Sequence, residues 1–464
     1  MLAYLIYPAY LAAASYLAFS LLDSALRRRL GAFQGLIFGT MYFVLVPIGV
    51  LLATGKLPLP KEFGATSLPD ITLENYGIET LSILLFILVL AVLDFSLRVV
   101  RKLKNSKAPA LGPPRADYAL ILLIAFFTYV ASDLYYFTQS GLGSGGHWYT
   151  SRADVLEKSG NIGVLVAHFI FISRILVLCS LSAMYLDGKV RFAHFIAFLS
   201  LVCVFDLYTT GNRIFTFLSL SLIFFIMLMD RKFTTIAILG LVAVPLGMLM
   251  NLFRYIRPFM HSTLSLDSIV QGYQFALDYN VSKGIADFIL GITESVNMNV
   301  VLEILRIFPD KVAFYGGETY AKLVFAFIPR SLWPDKPESI TVQIARLFVP
   351  SETETSFAST IYGELYANFG YFSFMLITVL VFFIMLATRF AVRDRKMASL
   401  LGFVYGITFV RMAFSDVMLS LILTSLFLMF IMSLRHLRGL HSMFFAPRRY
   451  SAKDPFTRED RGGD

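Results

Sequence analysis

The sequence predicts an all-α, polytopic membrane protein of about eleven transmembrane helices with one large extracytoplasmic helical loop, and three observations carry that expectation. The chain of 464 residues is 57% hydrophobic and only 15% charged, far below the charge of soluble domains. Its apolar residues fall in runs of about 18 to 25, the length that spans a hydrocarbon core of about 30 Å. Its basic residues cluster in alternate connections between those runs, as positive-inside topology requires.

Taken in order, the first run, Leu2 to Leu22, has no basic region before it and is long enough to span, so a retained helix is expected rather than a cleaved signal. Further spans are expected at 32 to 54, 78 to 99, 118 to 139, 161 to 185, 192 to 209, 213 to 229 and 233 to 251. Residues 252 to 360 break the rhythm. Segments there such as VSKGIADFILGITESVNMNVVLEILRIF and TYAKLVFAFIP set apolar residues at helical spacing with charges on the remaining face, the pattern of helices at an interface or over a cavity. A helical lid is expected. Spans at 361 to 388, 397 to 415 and 417 to 434 follow, and the polar tail 435 to 464 closes the chain. The organisation is therefore 1–251 with eight spans, the loop 252–360, 361–434 with three spans, and the tail. No internal repeat is evident, which weakens a transporter built from inverted repeats.

Arg27 to Arg29, the RKLKNSK run, Lys189 with Arg191, Arg231 with Lys232, the AVRDRK run and the tail fall on one side of this path, holding 24 of the 40 Lys and Arg residues with 9 acids. That side is expected to be cytoplasmic. The 252–360 stretch holds 9 basic and 11 acidic residues. The overall charge of +9 thus reflects topology, and no nucleic-acid partner is expected. The amino terminus is expected outside and the carboxyl terminus inside. Cys179 and Cys203 both lie in apolar runs, which excludes a disulfide framework or a CxxC metal site.

Candidate chemistry concentrates on the outer side. Arg254, Arg257 and His261 are spaced three and four apart where the eighth span emerges, and a continuing helix would put them on one face, kinked by Pro258. Guanidinium forks match phosphate oxygens; interfacial snorkelling is the other reading. Arg213, in TTGNRIF, stands at a helix start behind a tight turn, a ready anion site; pairing with Asp206 is the alternative. Arg330 follows Pro329 in FIPRSLWPDKP, where Pro334, Pro337 and Trp333 stiffen the chain around it and Lys336. This segment either positions a cation or anchors the loop.

Glu364, at the outer end of a span, is costly there unless it lines a wet cavity or meets a cation, which makes it the candidate base or hydroxyl-orienting group; a paired structural acid is the alternative. Arg411 and Asp416 lie toward the outer end of another span. Arg174, near mid-span, needs a buried acid such as Asp206 or Asp94. Arg152 and His147 stand in the second outer connection, with Arg152 joining the candidate anion-binding set and solvent exposure the plainer account. Outside the membrane there is no DxD, HExxH, GxSxG or Walker loop, so no metal, nucleotide or serine nucleophile is indicated.

At these residues the chain resembles the Wzy-type repeat-unit polymerases of bacterial surface polysaccharides, including the enterobacterial common antigen branch. The likeness rests on G-x-R at a short outer turn (Gly211, Arg213), the large outer loop, I-P-x-x-L-W-P-x-K/R-P from Ile328 to Pro337, and G-x-x-x-x-N-F-G from Gly363 to Gly370. The resemblance implies a GT-C-like, metal-independent, inverting glycosyltransferase of the bacterial inner membrane, without cofactor. It would move an undecaprenyl-pyrophosphate-linked oligosaccharide donor onto a second lipid-linked unit as acceptor. Membrane lipids and a chain-length-regulating membrane protein are the further partners implied. Arg213 carries over as a pyrophosphate-binding residue, and the loop arginines with it. The related ligases carry a histidine in the large outer loop, and His261 stands at its start, giving it a catalytic expectation beside Glu364. Two other readings stay open: an O-antigen ligase transferring glycan to lipid A core, and a lipid-linked oligosaccharide flippase. A flippase should spread its charges through the spans rather than gather them at one face.

Overall fold

Long apolar runs in lipid must satisfy their backbone internally, and helices do so segment by segment. The computed structural model describes residues 2–57, 69–103, 117–139, 151–210, 213–256, 296–325, 339–348, 357–391 and 394–445, with isolated positions between 267 and 274 and at 328 and 333. Within them the chain is helical almost throughout. The helices are α1 (Leu2–Leu26), α2 (Ala32–Thr40), α3 (Val46–Thr54), α4 (Gly77–Leu103), α5 (Tyr118–Gln139), α6 (Ser151–Leu186), α7 (Phe192–Thr210), α8 (Ile214–Met229) and α9 (Phe233–Ile256). After them come α10 (Val296–Ile307), α11 (Glu318–Val324), α12 (Ile340–Phe348), α13 (Thr360–Phe369), α14 (Ser373–Ala391), α15 (Arg395–Arg411) and α16 (Phe414–Phe445).

Seven of these stretches are long and apolar enough to cross a membrane: Tyr4–Leu26, Ala32–Thr54, Gly77–Val100, Tyr118–Tyr135, Leu165–Leu186, Thr360–Arg389 and Phe414–Leu434. The chain is an all-α membrane protein. Shorter apolar helices occupy Phe192–Leu207, Ile214–Met229 and Phe233–Val242. Between α3 and α4, Lys56–Leu57 (β1) and Ile71–Thr72 (β2) pair antiparallel, Lys56 opposite Thr72.

Contacts between connections divide the bundle into two ends. At one, Arg28 meets Asp230 at 3.6 Å, Lys232 donates to the Tyr185 hydroxyl at 2.8 Å, Tyr118 donates to Asp394 at 2.9 Å and Lys396 pairs with Asp187. At the other, Tyr76 donates to Glu303 at 2.5 Å and Lys322 pairs with Asp416 at 3.0 Å. Each pair joins positions that a chain running back and forth places at the same end.

The centre is made by α2, α3, α6 and α15. Two-thirds of the apolar windows of Ala32–Thr54 and Leu165–Leu186 is buried (67%) against 28% in Tyr4–Leu26 and Tyr118–Tyr135, so the former are inner helices. Gly35 and Gly39 on α2 face Gly402 and Gly406 on α15. A Cβ on Gly35 would lie 2.0 Å from the Phe403 carbonyl oxygen, and one on Gly406 2.2 Å from that of Ala32. Two small-x-x-x-small faces meet backbone to backbone, a contact that drives helix association where lipid is as apolar as leucine.

Three expectations need correction. The second outer connection is shorter than expected, because α6 begins at Ser151; Arg152 therefore lies in its first turn rather than in a loop. The last two spans part at Met412–Ala413 rather than at Asp416, which sits in the first turn of α16. Helix α10, within the stretch expected as a lid, is a core element: Met298, Val300, Leu302 and Ile304 are fully buried.

Candidate functional site

At the end of the bundle holding Lys322 and Asp416, chemistry-bearing residues gather through identifiable contacts. Arg213 caps α8: its carbonyl accepts from Phe217 N–H at 3.1 Å, and its side chain is half-buried. Phe217 packs on Tyr42 with ring centroids 4.3 Å apart, and deeper in the bundle Phe225 meets Phe403 of α15 at 4.7 Å. Because α8 runs away from this end and α15 toward it, these contacts set the start of α8 beside the end of α15. Arg411 is the last residue of α15 and is likewise half-buried. Arg213 and Arg411, far apart in sequence, therefore share one end of two neighbouring helices.

The turn after Arg411 is fixed by Glu364. Its Oε2 accepts from the Phe414 N–H at 2.5 Å and its Oε1 from the Thr319 hydroxyl at 3.0 Å. Asn368 Nδ2 donates to Thr319 Oγ1 at 2.8 Å and to the Glu364 carbonyl at 2.7 Å, while Asn368 Oδ1 accepts from Gly317 N–H at 3.1 Å. One carboxylate and one amide thus tie α13, α11 and the α15–α16 turn together. Glu364 is fully buried, so the expectation that it faces an open, wet cavity is corrected. Both of its oxygens are engaged, as a buried carboxylate requires, and its geometry here is that of a positioning group.

Asp416 works beside it. Its Oδ1 accepts from Lys322 Nζ at 3.0 Å and its Oδ2 from Ser339 Oγ at 3.1 Å, so one side chain holds α11 and the residue leading into α12. As an acid in the first turn of α16 it also suits the helix dipole.

The G-x-x-x-x-N-F-G segment acquires physical reasons. Gly363 sits against Ile304 and Val301, at 3.2 and 3.3 Å from where its Cβ would be. Asn368 is the amide just described, and Phe369 stacks on Tyr320 at 5.8 Å. Gly370 has φ 57°, with Phe314 2.6 Å from where a Cβ would stand. That break ends α13 and lets a single 3-10 turn lead into α14.

Arg174 lies within the bundle, and its partner is Asp206: Nη1 to Oδ1 is 2.5 Å, with the Asp206 side chain fully buried. Tyr129 donates to the same oxygen at 3.3 Å and its ring lies under the guanidinium. Asp94, the other acid considered, is held by Arg98 Nε at 2.6 Å. Of the two acids considered for Arg174, Asp206 is thus the one it meets.

Of the other expected residues, Arg254 and Arg152 lie on α9 and α6 with side chains outside the described residues, and His261, Arg257 and Arg330 lie outside them altogether. Lys322, Thr319 and Asn368 do not stand out in the sequence as candidates. The signals are there nonetheless: Lys322 is the one charge in an apolar run, and Asn368 stands inside the motif. Near this end, Tyr76 holds Glu303, and burial, then that bond, raise its phenol above the ordinary value. Among the described residues, no group of three His, Cys, Asp or Glu side chains could hold a metal ion.

Comparison of the chain with protein-family models, with curated proteins and with solved structures finds no match.

Proposed function

We propose that this chain is an inverting glycosyltransferase that polymerises undecaprenyl-pyrophosphate-linked oligosaccharide repeat units at the periplasmic face of a bacterial inner membrane. The observation that supports this reading best is the placement of Arg213 and Arg411 at one end of two neighbouring helices, the end that also holds the Glu364 and Asp416 network. Guanidinium groups placed where leaving-group charge develops stabilise a departing pyrophosphate without a nucleophile of the protein.

In this reading α7, α8, α9 and α15 complete eleven spans, and the basic connections face the cytoplasm with the carboxyl terminus. The amino terminus, the large loop and the arginine-bearing end then face the periplasm. An acceptor sugar hydroxyl attacks the donor's anomeric carbon, a new glycosidic C–O bond forms, and the bond to pyrophosphate breaks. Undecaprenyl pyrophosphate leaves, and the hydroxyl proton passes to water. Arg213 and Arg411 hold the diphosphate, while Glu364 fixes the turn that presents Arg411.

The test is to give the purified chain a defined undecaprenyl-pyrophosphate-linked repeat unit and look for a ladder of chain lengths. Wild type should form it, Arg213→Ala should abolish it, and Arg213→Lys should restore it only in part, because a point charge does not reproduce a bidentate fork. Absence of a ladder with transfer to lipid A core would make the chain a ligase. A full ladder from Arg213→Ala would remove that residue from the site.

A further inference from the structure

Among the described residues three that are not glycine adopt a positive φ, and two of them are arginines at one end of the bundle: Arg28 at 54° and Arg231 at 56°. Both stand in the same motif. The Arg28 N–H bonds to the Ala25 carbonyl at 2.9 Å and the Arg29 N–H to that of Ser24 at 2.8 Å, closing α1. The Arg231 N–H bonds to the Leu228 carbonyl at 3.1 Å and the Lys232 N–H to that of Met227 at 3.0 Å, closing α8. This pair of bonds puts the residue just past the helix in the left-handed region, where glycine is commonest because a Cβ is strained there. Helix α6 closes in the same way at this end of the bundle and uses Gly188, φ 71°. Only the side chain sets the two arginines apart from Gly188.

Asp230 joins the two turns, meeting Arg28 at 3.6 Å and Lys232 at 3.9 Å. Five cations, Arg27, Arg28, Arg29, Arg231 and Lys232, thus gather around Asp230 and Asp23, and Asp23 is shared with Arg98 of α4. Among the described residues no ion pair holds Arg29 or Arg231. The cluster is therefore under-neutralised, and it is open: the Arg27, Arg28 and Lys232 side chains are 62%, 73% and 47% exposed. Apolar surface begins at once beside it. Leu22 and Leu26, four apart on α1, and Phe233, the first residue of α9, are exposed.

We infer that Arg28 and Arg231, with Arg29 and Lys232, form a site for the headgroup of an anionic phospholipid between the ends of α1 and α8. Its phosphodiester oxygens take the guanidinium forks, while its acyl chains cover Leu22, Leu26 and Phe233; a soluble phosphate would meet only the cations. The site needs only that the chain sits in a membrane, and it stands apart from the glycosyltransferase reading. It also accounts for the strain, since glycine would make both turns and lose both forks.

The test titrates the full chain in detergent micelles with phosphatidylglycerol or with phosphatidylcholine of the same acyl chains, reading bound lipid by native mass spectrometry and the melting temperature alongside. Wild type should bind phosphatidylglycerol the more tightly. One basic residue at a membrane surface adds about 5-fold to the attraction for anionic lipid, so Arg28→Gly and Arg231→Gly should each weaken phosphatidylglycerol binding by about 5-fold and the double variant by about 25-fold. In phosphatidylcholine the double variant should melt at or above wild type, because glycine relieves both positive φ angles; lost binding is then not lost fold. Lys311→Ala, at the other end of the bundle, should bind as wild type. Wild-type preference for phosphatidylglycerol in the double variant overturns the inference. A lower melting temperature of that variant in phosphatidylcholine does so too, by making the arginines part of the fold. An equal loss in Lys311→Ala would reduce the effect to overall charge, and protection of wild type by inorganic phosphate as strong as by phosphatidylglycerol would assign the cluster to a soluble anion; either result also overturns it.

Discussion

Replacing Glu364 separates a positioning carboxylate from a catalytic base. Its two oxygens accept from Phe414 N–H and Thr319 Oγ1 in a site closed to water. Glu364→Ala strands both donors, each costing about 1–3 kcal/mol when buried, and leaves a cavity besides, for a total of about 3–6 kcal/mol. Glu364→Gln keeps an oxygen for Phe414 N–H and can turn its amide NH2 toward Thr319 Oγ1, so it should cost only about 1 kcal/mol. Unfolding of purified protein in detergent should therefore show a large loss for Ala and a small one for Gln. On the proposed glycosyltransferase reading, chain extension should survive in Glu364→Gln within about tenfold, whereas loss of a general base costs about 10²- to 10⁴-fold. A loss of about a hundredfold or more in turnover, with the unfolding transition of Glu364→Gln unchanged, would refute the positioning role. Thr319 and Phe414 would then have to release the carboxylate during the reaction.

The same geometry sets other outcomes. Gly406→Ala puts a methyl 2.2 Å from the Ala32 carbonyl oxygen, so α2 and α15 must part and melting should fall by about 1–3 kcal/mol in stability. Gly240→Ala on α9, with nothing within 4 Å of its Cβ, should leave melting unchanged or slightly raised. Lys322→Asp and Asp416→Lys should each weaken the anchoring of α11, and the double exchange should recover about 1 kcal/mol, a modest value because both side chains are partly exposed. Tyr76→Phe should lower stability by the same amount at pH 6 and pH 8. The raised phenol value means that the stabilisation is fully present below the ordinary value of 10.0 and is lost only as pH climbs through the raised one; a difference between those two pH values would contradict the bond to Glu303.

The apolar periodicity made the helices legible because a membrane span must be both long and apolar, and the described helices follow the expected runs closely. It could not convey depth. VNMNVVLEILRI reads as amphipathic, with Asn297, Asn299 and Glu303 interleaved among aliphatic residues, yet α10 is buried nearly all round because Glu303 is met by Tyr76. Burial of a charge depends on a partner more than two hundred residues away, which no local pattern reveals. The same holds at the site. Glu364 stood out as an acid near a span end, but its role comes from Thr319 and the Phe414 backbone, and backbone donors leave no mark in a sequence. The π-helical turn between α2 and α3, Met41–Leu45, was equally hidden: MYFVL is an ordinary apolar stretch, and only the bond from Val46 to Met41 distinguishes it.

Where helices have no hydrophobic drive to associate, the position of an arginine at a helix end needs more than one constraint. For Arg411 there are two. The glycine contact fixes the axis of α15 against α2, and the Phe414 bond to Glu364 fixes the turn beyond its end. Arg213 is placed through Phe217, which packs on Tyr42 of the Ala32–Thr54 helix, and through Phe225, which packs on Phe403 of α15. A methyl at Gly406 would push α15 away from α2, while Phe217 on Tyr42 holds the start of α8 to the Ala32–Thr54 helix. The separation of the two arginines would then change by about the displacement of α15, and catalytic geometry is sensitive at the level of 1 Å, where misplacement costs about 10²-fold. If the proposed function holds, the loss of chain extension in Gly406→Ala should therefore exceed what its loss of stability accounts for, and the excess measures how far the glycine contact serves the proposed site as well as the fold.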